Sequence, residues 1–158
     1  MKVHTFEQSV LIKAGVKQIE RCFTNLELLH CWLNPLLHCQ PMGEWSTTVG
    51  SKSYFMIQLP WLPHQLAPTL HNTVVERAPG LIVWQFSGFF HGTDRWQCHP
   101  YGDSLTLLVN QFQFVIPHPL IAFGFHQFAA PMTKADMQDQ LNRLQGIAEG
   151  LNELHSII

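Results

Sequence analysis

The sequence predicts an α+β fold: a curved antiparallel sheet of about seven strands wrapped around one long C-terminal helix, with short helices after the first strand. Three observations carry it. Strand-like segments fill residues 36–116 and are separated by turns too short for the crossovers that parallel strands need. A helical period appears once early, after Ala14-Gly15. It returns at the end, where Met137, Leu141, Leu144, Ala148 and Leu151 form a stripe at spacings of four, three, four and three. A sheet that buries one face needs such a stripe to cover it.

The first strand is VHTFEQSVLI, residues 3–12, in which Val3 and Thr5 alternate with His4 and Phe6 before a continuous apolar run. Val16, Ile19, Cys22, Phe23, Leu26 and Leu29 then recur at three and four, an amphipathic helical stretch that Asn34-Pro35 stops. Strands are expected over 36–46, 50–59, 69–78, 80–90, 91–100 and 103–116. Between them lie Val49-Gly50, the PWLPHQLAP loop (60–68), Ala78-Pro79-Gly80 and Pro100-Tyr101-Gly102-Asp103. The last two are strong turns, because Pro presets φ and Gly accepts a positive one. The closing helix is expected to begin near Thr133, which precedes Asp136 at capping-box spacing. Gly146 and Gly150 weaken that helix by about 1 kcal/mol each relative to Ala, so packing has to hold it.

With 158 residues and neither repeat nor linker, the chain reads as one domain over 1–158. Charged residues make up 13%, about half the usual share, and the net charge of -2 leaves no basic footprint for nucleic acid. Cys22, Cys31, Cys39 and Cys98 form no CxxC pair. His30-Cys31 and His38-Cys39 suggest zinc, but neighbours on a strand point to opposite faces, so neither a metal nor another cofactor is expected. Four reduced thiols and a start without a secretory signal point to the cytoplasm. Residues 112–130 are almost apolar enough for a membrane span, yet Pro117, His118 and Pro119 interrupt them. A strand ending at Ile116 and a new element near Pro119 explain them better than a transmembrane helix. Oligomeric state leaves no signature.

Several features in order give the chain a family likeness. Leu11-Ile12-Lys13-Ala14 ends the first strand, Trp32 with Asn34-Pro35 ends the helical stretch, and Gly50 precedes the third strand. Val74-Val75-Glu76-Arg77-Ala78-Pro79-Gly80-Leu81-Ile82-Val83-Trp84 follows, then Gly88, Gly92, Trp96 and Pro100. Together these resemble the START-like superfamily, also called the Bet v 1-like, SRPBCC or polyketide cyclase/dehydrase group, over nearly the whole chain. The resemblance implies a helix-grip fold with an apolar cavity between sheet and long helix. Members bind lipids, sterols, hormones or polyketides, and some catalyse cyclisation or dehydration. No universal catalytic motif can be carried across, and fold constrains function only loosely.

On strand 91–100, HGTDRWQCHP, hydrophobicity turns Gly92, Asp94, Trp96 and Cys98 inward and Arg95 and His99 outward. Asp94 is then the odd residue: either an anchor or general acid/base in an apolar pocket, or an acid satisfied near the mouth. On the last strand Thr106, Leu108, Asn110, Phe112 and Phe114 are placed inward, making Asn110 a second polar group. Ile82, Trp84 and Phe86 join them, and Met137, Leu141 and Leu144 cover them from the helix. Trp84 and Trp96 suit core packing as well as ligand contact. Trp61 and Leu62, in a loop with three prolines, would form a lid or an interaction patch, and His118 and His126 could face the same mouth. Ser87 lies in F-S-G-F, outside any nucleophile elbow, and no phosphate loop is present. The expected partner is a small hydrophobic molecule, bound or carried; the alternative is a cyclase/dehydratase with Asp94 as acid or base.

Overall fold

The computed structural model describes residues 2–88, 90–119 and 130–157, the side chains of 130–132 and 155–157 excepted. Alternating burial lays down seven strands: β1 (His4–Ile12), β2 (Leu37–Pro41), β3 (Lys52–Ile57), β4 (Thr69–Ala78), β5 (Leu81–Ser87), β6 (His91–Pro100) and β7 (Thr106–Val115). They form one antiparallel sheet in the order β1-β7-β6-β5-β4-β3-β2. Consecutive strands from β2 to β7 are joined as neighbours, while β1 closes on β7 with Ile12 opposite Thr106 and His4 opposite Phe114. The two edge strands, β1 and β2, are bridged by α1 (Val16–Thr24) and α2 (Leu26–Trp32). The chain then ends in α3 (Ala130–Ile157), which packs against β1, α1 and α2.

The early helical stretch is two helices, because Asn25 is extended (φ -97°, ψ 116°) and its side chain caps α2 by accepting from the Leu28 N–H at 3.0 Å. The period of the apolar residues hid this break, since Ile19, Phe23, Leu29 and Trp32 all face one core. The strand expected over 36–46 stops at Pro41, and that over 50–59 shrinks to Lys52–Ile57. Between them the chain turns through Gly43 and Gly50, both at φ 92°. Helix α3 starts at Ala130, before Thr133, so Thr133 is no N-cap, and the Asp136 carboxylate accepts instead from the Gln140 side chain at 2.9 Å.

The core gathers at one end of the concave face. Ile12, Ile19, Phe23, Ile82, Leu108, Leu141 and Leu144 are fully buried there. The Phe23 ring meets Trp32, Trp84 and Trp96 edge-on at 6.2, 6.3 and 6.0 Å. A polar clamp fixes α1 to the β4–β5 hairpin: Glu20 pairs with the Arg77 guanidinium and accepts the Gly80 N–H at 2.6 Å. Gly80 itself turns at φ 76°. No described helix is long and apolar enough to cross a membrane.

Candidate functional site

At the other end, α1 no longer fills the concave face and a cavity of about 270 Å³ remains between the sheet, α2 and α3. Its wall is mainly apolar, built from Leu29 and Trp32 of α2 with Leu33 just after it, Phe55, Leu70, Trp84, Phe86 and Phe112 of the sheet, and Met137 of α3. The rings of Phe86 and Phe112 stack at 5.2 Å across β6. Leu36, 42% exposed, and the half-buried Thr133, Asp136 and Gln140 also border the space, which marks the mouth.

Two carboxylates line this space, Asp136 at the mouth and Asp94 in the wall formed by the sheet. The pleat of β6 points Asp94 and Trp96 inward together, and register sets Trp84 beside Asp94 on β5 and Asn110 beside Trp96 on β7. Asp94 Oδ2 accepts from Trp96 Nε1 at 2.9 Å, and Oδ1 accepts from Asn110 Nδ2 at 2.6 Å. Asn110, almost wholly buried, also donates to the Arg95 carbonyl at 3.2 Å. Burial pushes the Asp94 carboxyl up to about 6, while the Trp96 and Asn110 hydrogen bonds pull it down. Near neutrality it is therefore mostly a carboxylate with a minor acid form, suited to accepting a ligand hydrogen bond or exchanging a proton.

Seven of the residues expected at the site stand together in this wall: Trp84, Phe86, Asp94, Trp96, Asn110, Phe112 and Met137. Ile82, Leu108, Leu141 and Leu144 do not reach it; they lie in the solid core, where Ile19, Cys22 and Phe23 of α1 cover the sheet. Trp61 is 76% exposed and, like the half-buried Leu62, stands outside the wall. His118 is exposed, and His126 lies outside the described residues. The rings of His30 and His38 stack at 5.2 Å, but His30 Nε2 accepts the Cys39 N–H at 3.1 Å, and no metal-binding cluster occurs among the described residues. Leu29, Trp32, Leu33, Phe55, Leu70 and Asn72, with the residues of the mouth, were missed by sequence reasoning. Asn72 was recoverable by the reasoning that found Asn110: it is a polar residue on the apolar face Leu70, Asn72, Val74 of β4.

The chain belongs to the family described as polyketide cyclase / dehydrase and lipid transport, whose model matches residues 3–149. A search of curated proteins returns no match. Among solved structures it is similar to the Zhui aromatase/cyclase of Streptomyces sp. R1128, with a TM-score of 0.73, 13% identity and 94% of each chain covered. A START superfamily protein of Mycobacterium smegmatis gives 0.64 and 19%, covering 96% of this chain and 98% of that one. Norcoclaurine synthase of Thalictrum flavum, in complex with dopamine and hydroxybenzaldehyde, gives 0.63 and 12%, covering 90% and 86%. At such identities the likeness is one of fold.

Proposed function

We propose that this protein binds a compact, largely apolar molecule in the cavity and orients its polar end on Asp94 and Asn110. One observation carries this: a mostly apolar cavity of about 270 Å³ has the Asp94 carboxylate and the Asn110 carboxamide hydrogen-bonded to each other in its wall. The volume suits a fused-ring molecule better than a long acyl chain. Ring-shaped molecules also figure in two of the structural relatives, the aromatase/cyclase and the norcoclaurine synthase bound to dopamine and hydroxybenzaldehyde. Trp84 and Trp96 line the cavity, so their fluorescence should shift saturably when fused-ring compounds are added. A titration series without any saturable shift would sink the binding role.

A second reading is a cyclase- or dehydratase-type enzyme in which Asp94 is the acid or base. It is favoured by a carboxyl poised at about 6 inside an apolar wall. Asn110 would polarise a carbonyl only by giving up an N–H that it now donates to Asp94 or to the Arg95 carbonyl. Replacing Asp94→Asn should then cut turnover of a polyketide-like substrate by about 100-fold or more while binding survives. Unchanged turnover removes Asp94 from that role. A cytoplasmic setting suits the four free cysteines, three of which (Cys22, Cys39 and Cys98) have thiols pushed up to about 12 by burial.

A further inference from the structure

Among the described residues, the charged side chains that border the cavity are Asp94 in the sheet wall and Asp136 at the mouth, both of one sign. All nine Lys and Arg residues of the chain are described, and none of them lines the space; nor does any described histidine. Arg77 pairs with Glu20 and Arg95 with Glu76. Arg143 Nε donates to the Trp32 carbonyl at 3.0 Å, and the Lys134 ammonium stands 5.0 Å from the centre of the Phe6 ring. Asp94 is thus met by neutral donors, Trp96 Nε1 and Asn110 Nδ2, and by no cation among the described residues. A carboxylate in an apolar wall without an opposite charge is costly. Asp94 lines the cavity and is only half-buried, so a molecule in that space can supply the missing charge. The rings of Trp84, Phe86 and Phe112 in the same wall favour a cation independently, because their faces attract positive charge.

We propose that the ligand of this cavity is a protonated aromatic amine, its ammonium turned toward Asp94 and its ring body against Trp84 and Phe86. The inference rests on the cavity being a binding site and adds the charge that its ligand carries. Attraction between ammonium and carboxylate is stronger in a space walled off by apolar side chains than in bulk water. The same field works against an acid. A carboxylate of equal shape would meet two like charges and no cation to offset them.

Calorimetric titration near neutral pH with three probes of similar shape, naphthylmethylamine, naphthylmethanol and naphthoate, tests this. There the amine carries its proton and Asp94 is mostly ionised. The unaltered protein should bind the amine about 10-fold or more tighter than the alcohol, the value of one hydrogen bond to a charged group, and naphthoate most weakly of the three. Asp94→Asn should bring the amine-to-alcohol affinity ratio close to one. The ratio is taken within the variant, so a general change in cavity affinity cancels, and the order of the three probes on the unaltered protein decides independently of it. The inference is overturned if the amine binds no tighter than the alcohol, if naphthoate matches the alcohol, or if the ratio survives Asp94→Asn. Binding of the alcohol without any preference for the amine removes the charge requirement and leaves the binding site standing. Failure of all three probes to bind removes the binding site itself.

Discussion

Asp94 is held in a setting that disfavours its charge, and this makes its effect on stability dependent on pH. Its folded-state value of about 6 lies above the 3.8 of a free side chain. Below both values the group is protonated folded or unfolded and contributes no difference. Between about pH 4 and pH 6 the folded chain holds a proton that the unfolded chain has released, so stability falls as pH rises through that window. Asp94→Asn removes this dependence. Relative to the unaltered protein it should gain about 1–3 kcal/mol in unfolding free energy between about pH 4 and pH 7, read by denaturant titration. A difference that stays constant over that range would refute the burial of the charge. Asp94 was legible in the sequence because strand alternation turned it onto the face of Trp96 and Cys98. Its two hydrogen bonds were not, since Asn110 reaches it from another strand through register alone.

At the scale of elements, β6 shows what alternation does and does not specify. Its limits, His91 to Pro100, follow from the sequence, as do the inward residues. The need for Gly92 does not: a Cβ there would strike the Gln113 carbonyl oxygen and the backbone of Phe114 on β7. Gly92→Ala should destabilise the fold by about 1–3 kcal/mol or more, because backbone cannot yield as a flexible side chain can. Thermal unfolding measures it, and an unchanged midpoint would show that β6 and β7 part easily there. The division of the early helical stretch was hidden for a different reason. Asn25 interrupts the hydrogen-bond ladder without disturbing the apolar period, and period was the signal being read. Thr133 and Asp136 misled in the opposite way, as residues of capping type placed inside a helix that had already begun.

The whole molecule divides its concave face between a filled end and an open one, and the sequence did not mark the boundary. Ile82 and Trp84 share a strand face, as do Leu141 and Met137 a helix stripe, yet only Trp84 and Met137 border the cavity. The position of α1 decides this, and that is tertiary information. Leu141→Ala, in the filled end, should cost about 2–5 kcal/mol, whereas Met137→Ala, beside existing space, should lie at or below the low end of that range. Chemical denaturation of both variants checks it, and equal costs would mean that the filled end is no better packed than the open one. The sheet order has a consequence for synthesis. Ile12 needs Thr106 opposite it, so β1 leaves the ribosome well ahead of β7, its partner among the described strands. At about 5–20 residues per second this wait lasts on the order of 5–20 s. During it β2 to β6 can pair as a meander, while β1, which carries Phe6, Val10, Leu11 and Ile12, stays without its partner. Aggregation during translation, more than unfolding of the finished protein, is where substitutions in β1 should first be felt.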